Sequence, residues 1–141
     1  VSEGLIFRHF GNKEGLLQAI MKEGEERVKI IFSDIIFEPD PKTVIRKFLE
    51  VPLNLLSDPD ELEFWKLQYK IKWETEQYGE HKMEPVLLAL SNAFKKLKYG
   101  NPDEEAGLLM AFIDGIAMQH FLMESFHVKP KIELLKTKYQ L

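Results

Sequence analysis

The sequence predicts an all-α fold, a helical bundle, and two observations carry that prediction. Apolar residues recur at three-and-four spacing between every pair of turn signals, and no stretch alternates with period two. Helix starts also repeat. Asp40-Pro41-Lys42, Asp58-Pro59-Asp60-Glu61 and Asn101-Pro102-Asp103-Glu104 each place a capping side chain before a proline at the first helical position. Proline costs nothing there, because the first N–H groups of a helix have no partner within it. Glu61 and Glu104 fall at the third helical position, as in a capping box, where their charge suits the positive helix end.

The elements follow in order. Asn12 caps a long helix that carries Leu17, Ile20, Gly24, Val28, Ile31, Phe32 and Ile35 on one face and runs to about Phe37. Val44, Ile45, Phe48, Leu49, Leu55 and Leu56 mark the next, with Pro52 expected to kink it. Leu62, Trp65, Tyr69 and Trp73 define a third. Val86, Leu90, Ala93, Phe94 and Leu97 define a fourth. Gly79 and Gly100 follow apolar-periodic runs and read as helix stops. Leu108–Met123 is a fifth helix, and Ile132, Leu135 and Tyr139 mark a short last one after Pro130.

Composition narrows the function classes. A chain of 141 residues, 45% hydrophobic and 30% charged, has the make-up of a soluble globular protein with one respectable core. No apolar run reaches spanning length and no signal-peptide layout is present, so no membrane partner is expected and the cytoplasm is the expected location. Cysteine is absent, which excludes disulfides and thiolate metal sites. A net charge of −4 tells against coating nucleic acid with the whole surface but leaves room for a local DNA-binding head on an acidic body.

Leu108–Met123 is apolar nearly all the way round, whereas a surface helix of a small bundle needs only one apolar stripe. The expected explanation is a two-fold interface of paired helices formed by Leu109, Phe112, Ile113, Ile116, Ala117 and Phe121. A central core helix of a monomer is the alternative. Trp65, Tyr69 and Trp73 form an aromatic stripe, with Phe64, Phe94, Phe112, Met118 and His120 as facing partners. The stripe reads either as ordinary core packing or as the wall of a ligand cavity for a flat, largely apolar molecule.

The N-terminal run Val1-Ser2-Glu3-Gly4-Leu5-Ile6-Phe7-Arg8-His9-Phe10-Gly11-Asn12-Lys13-Glu14-Gly15-Leu16 packs a short helix, a Gly-Asn turn and a capped second helix into little space. Ser2, Arg8, His9 and Lys13 suit phosphates and base edges. The run resembles the recognition helix and following helix start of the TetR family of bacterial transcriptional regulators. That family's pattern is Val-Ser-x-Gly/Pro-Thr/Ser-Leu-Tyr-x-His/Tyr-Phe-x-Ser/Asn-Lys-Glu-x-Leu. A weaker likeness, at Asn101–Ala106 and Phe112–Ala117, is similar to the family's dimerisation helix.

The resemblance implies a TetR-like bundle, with residues 1–33 as a partial DNA-binding head and 34–141 as a ligand-binding and dimerisation domain. It implies that Ser2, Glu3 and Leu5 face bases while Phe7, His9 and Lys13 face the DNA backbone. It also implies operator DNA, a small-molecule effector and a second copy of the chain as partners. Phe7 departs from the family's usual Tyr and lacks its hydroxyl. Leu5 replaces a small polar residue, which leaves it apolar contact, as with a thymine methyl. The family's first helix and most of its second are absent, so the chain reads as truncated within its motif.

Little points to catalysis. Glu124-Ser125-Phe126-His127 has the Glu-x-x-His spacing of a di-iron site, but no second pair accompanies it. No Gly-rich phosphate loop, nucleophile elbow or His-Glu-x-x-His occurs. The expectation is a non-enzymatic regulator without metal or cofactor. A helical binding or assembly module with no DNA role is the alternative.

Overall fold

The computed structural model of the chain describes residue 8, residues 11–77 and residues 79–141, the side chains of Glu80 and His81 excepted. Among the described residues the fold is all-helical, with six helices and no strand: α1 (Lys13–Ile36), α2 (Pro41–Leu55), α3 (Pro59–Thr75), α4 (Glu80–Lys96), α5 (Pro102–Leu122) and α6 (Val128–Lys138).

Local chemistry sets most of the helix starts. The Asn12 side chain accepts from Gly15 N, Asp40 from Thr43 N, and Asp58 from Asp60 N and Glu61 N. Asn101 departs from this pattern: its side chain makes no cap bond. The stops fall elsewhere than the glycines suggest. Helix α3 ends at Thr75 with Glu76 in the left-handed region at φ 53°, while Gly79, at φ 71°, precedes α4. Lys98, at φ 68°, turns the chain after α4, ahead of Gly100. Pro130 lies within the first turn of α6 and does not precede it. Pro52 sits inside α2, where it cannot donate to the Phe48 carbonyl, yet the helix continues to Leu55.

Helix α2 is the hub, packing on α1, α4, α5 and α6. Ile45, Phe48 and Leu49 are wholly buried, and Phe48 stacks on Phe32 of α1 at 5.9 Å between ring centroids. Leu90 and Phe94 of α4, Leu109 of α5 and Ile132 of α6 close the same core. Lys47 clamps the start of α2 to the end of α1 through Asp34 at 2.9 Å and Glu38 at 2.8 Å. At the far end Phe94, Tyr99 and Tyr139 cluster, and the Tyr139 hydroxyl donates to Glu105 at 2.9 Å. Burial and that carboxylate push the Tyr139 hydroxyl well above its ordinary pKa.

Helix α3 stands apart from this core. Its buried side chains, Trp65, Gln68 and Ile71, lie outside the central cluster, and it packs mainly on α1. Gln68 is 6% exposed and donates from Nε2 to the Ile20 carbonyl of α1 at 2.8 Å. The contact is close: a Cβ on Gly24 would lie 2.5 Å from Gln68 Oε1, so a larger residue makes the amide end of Gln68 shift. Beside it Arg27 bridges Glu61 at 2.9 Å and Glu23 at 2.7 Å, with its guanidinium 3.8 Å from the Phe64 ring centroid.

Two outcomes follow. Gly24→Ala alone is expected to destabilise the protein although alanine favours helix by about 1 kcal/mol. In a Gln68→Ala background the same substitution should stabilise; chemical denaturation of the four variants checks the sign reversal, and additivity would mean the two residues do not couple. The second outcome concerns acid. Hydrogen bonds from the Thr43 hydroxyl and amide hold the Asp40 carboxyl below its ordinary 3.8, and the Lys47 ammonium does the same for Glu38. Their contributions are present above the unfolded carboxylate range and are lost as pH falls through the lowered folded values. Asp40→Asn, which keeps a capping oxygen, should therefore shallow the fall in thermal midpoint between neutral pH and about pH 2.

Candidate functional site

Because α3 is not part of the central core, space remains between it and the rest of the bundle. A slot of about 100 Å³ is walled by Ile31 and Phe32 of α1, Pro52 and Leu55 of α2, and Ile113 and Phe121 of α5. Tyr69, Lys72 and Asp114 are its polar groups. Two wider clefts adjoin these residues. One, of about 720 Å³, runs between α1, α3 and the start of α4 and includes Gly24, Gln68 and Lys82. The other, of about 420 Å³, lies between the end of α3 and α5 and includes Trp73, Gly115 and Met118. Lys72 lines all three.

The polar junction is well defined. The Tyr69 hydroxyl donates to Asp114 Oδ1 at 2.6 Å, a short bond to a carboxylate. Lys72 Nζ stands 4.8 Å from the Tyr69 ring centroid. Burial lowers the Lys72 pKa, and the charge of Asp114 works against that shift without cancelling it. Phe121 meets the Tyr69 ring edge-on at 5.4 Å. Tyr69 and Lys72 share a face of α3 because they are three residues apart.

The residues expected to line a cavity separate into groups. Trp65 and Tyr69 line the slot, and Trp65 Nε1 donates to Glu61 at 2.9 Å. Trp73 is 75% exposed and reaches only the open cleft, together with Met118. Steps of four residues overshoot a full helical turn by about 40° each, which rotates Trp73 off the buried face. Phe64 lies under Arg27 and edge-on to Trp65. Phe94 is fully buried in the tyrosine cluster and Phe112 packs on the central core; neither lines these three spaces. His120 is half-buried, with Nδ1 sequestered and without a hydrogen-bond partner among the described residues.

The residues expected at a subunit interface are also divided. Leu109, Ile116 and Ala117 are buried within their own chain, and Ile113, Ala117 and Phe121 line the slot. Phe112 is half-buried. What α5 leaves uncovered is the opposite face: Leu108 is 62% exposed and Leu122 75%, with Ala111 and Met118 between them. At the N-terminus, Arg8 is helical and exposed, and Lys13 opens α1 exposed to solvent. Ser2, Glu3, Leu5, Phe7 and His9 lie outside the described residues.

Sequence reasoning missed Gln68, Lys72 and Asp114. Asp114 had a legible signal, as the one Asp, Glu, Lys or Arg in the apolar run 108–123. Glu124 and His127 are exposed in the loop between α5 and α6, so their spacing puts them on no helix face. Among the described residues no group of three or more His, Asp or Glu side chains could hold a metal ion, and no helix is long and apolar enough to cross a membrane. Searches for a matching family model, a matching curated protein and a matching solved structure found none.

Asp114→Asn should lower the Lys72 pKa further, because it removes the charge that opposes the burial cost while leaving an acceptor for Tyr69. An NMR titration of the lysine side-chain carbon resonances measures it, and an unchanged or raised value would show that other groups set the charge state.

Proposed function

We propose that this protein is a ligand-responsive, DNA-binding transcriptional regulator of the TetR type, acting as a homodimer. The observation that carries the reading is the continuity of α1. It is a single helix of 24 residues, about 36 Å long. Its N-terminal end adjoins the motif at residues 1–16, and its middle and C-terminal half wall the slot through Val28, Ile31 and Phe32. A ligand between α3 and α1 thus bears on the same helix whose first turn, from Lys13, belongs to that motif. In a dimer, tilting that rod changes the separation of two heads and their fit to half-sites one helical turn apart.

The exposed face of α5 supports the dimer. Leu108, Ala111, Met118 and Leu122, at successive offsets of three, seven and four residues, fall on the side facing away from the core, a stripe suited to pairing with the same helix of a second copy. The same face also favours the second reading, an assembly module without a DNA role, and one experiment separates the two. The protein as its gene encodes it is used to select duplexes from a random pool. The regulator reading expects a palindromic site bound by a dimer, with affinity falling steeply as salt rises. A Leu108→Glu/Leu122→Glu variant should sediment as a helical monomer and lose the palindrome. Dimers that select no sequence would favour the assembly module.

A further inference from the structure

Helix α3 is tied to the bundle differently from the other five helices. Each of the others puts side chains into the central core; among the described residues α3 puts none there. Of its 17 residues only Trp65, Gln68 and Ile71 are buried, whereas α2 buries six of 15. Directional contacts hold it instead: Gln68 on the Ile20 carbonyl, Arg27 with Glu61, and the Tyr69 hydroxyl on Asp114. Water can take over such contacts, and the Arg27 and Glu61 side chains are already 35% exposed. The chain enters α3 through exposed Ser57 and Asp58 and leaves it through exposed Glu76 and Gln77, so burial pins neither junction. An element with few buried apolar contacts opens at a lower free energy than the core beside it.

Trp65 and Tyr69 form the α3 side of the slot, and Ala117 on the α5 side is 7% exposed. Lifting α3 uncovers that wall without disturbing the packing on α2. We propose that α3 is the lid of the slot, opening as a unit while the other five helices stay packed, with the Gln68–Ile20 bond as its latch on α1. A small molecule reaches the slot by this local opening, with no need for the whole fold to come apart. The inference rests on the slot as the ligand site of the regulator reading, but its test uses neither DNA nor effector, so each can fail without the other.

The chain has no cysteine, so one introduced thiol reports alone. Ala117→Cys places it on the slot wall, and Ala93→Cys places it in the central core, where Ala93 is 3% exposed. Iodoacetamide is expected to label the Ala117→Cys variant about a hundredfold faster than the Ala93→Cys variant, yet more slowly than the unfolded chain. Ile132→Val, a core change in α6, should speed the Ala93→Cys reaction about fivefold and leave the Ala117→Cys reaction as it was. Gln68→Ala should speed the Ala117→Cys reaction about tenfold. Circular dichroism checks the fold of each variant. In the unsubstituted chain, amides of residues 64–72 should exchange through one opening of lower free energy than those of residues 45–49. Equal labelling of the two thiols, a response of both to Ile132→Val, or amide exchange of α3 together with α2 would mean that the slot opens only with the whole fold, and would overturn the lid. Labelling of the Ala117→Cys variant at the unfolded rate would overturn it too, by showing the slot already open. A rate unmoved by Gln68→Ala would overturn the latch.

Discussion

Ile45, Phe48 and Leu49 of α2 lie on a surface too broad for one neighbour to cover, and burying it takes α1, α4, α5 and α6 together. Apolar burial is the largest favourable contribution to folding, so the helices that touch α2 are placed by that demand. Truncating Phe48 would open a cavity where α1 stacks on α2, which is why the geometry of the long first helix depends on this contact. The lysine clamp at the α1–α2 corner then fixes the angle at which the chain reverses.

Helix α3 is held by other means. With its buried residues outside the central cluster, it depends on α1 through a polar contact, Gln68 on the Ile20 carbonyl, and on charge and ring contacts at Arg27, Glu61 and Phe64. Such contacts are directional. They position α3 against α1 while leaving the space behind it incompletely filled. The slot is the residue of that arrangement: five helices contribute its wall, and the α3 side brings the hydroxyl and the ammonium that meet Asp114. A polar junction inside an apolar wall is costly for stability alone, since a buried ammonium is disfavoured even beside a carboxylate.

Helix α5 has both faces apolar for two separate reasons. One face completes the core and the slot through Leu109, Ile116 and Phe121; the other is exposed at Leu108, Met118 and Leu122. An all-round apolar helix looks the same in sequence whichever face turns inward, so the sequence pattern assigned inward residues to an interface. In the fold, Leu109, Ile116 and Ala117 turn into the chain's own core, while Leu108, Met118 and Leu122 stay exposed on the far side of the same helix.

Helix starts at Asn12, Asp40 and Asp58 were legible because a capping bond spans two or three residues and needs nothing from the rest of the fold. The buried faces of α1, α2 and α4 were legible for a similar reason: one apolar stripe against a polar background has a single way to turn inward. Helix ends were less so, since Glu76 and Lys98 adopt left-handed backbone that glycine was expected to supply. What only the tertiary structure decided is the site. Tyr69 and Lys72 of α3 meet Asp114 of α5, 45 residues on from Tyr69, and Gln68 lies against Gly24 of another helix. Sequence periodicity states which residues share a face of one helix. Which faces then meet, and which polar groups are enclosed between them, depends on how the helices cross over the core of α2.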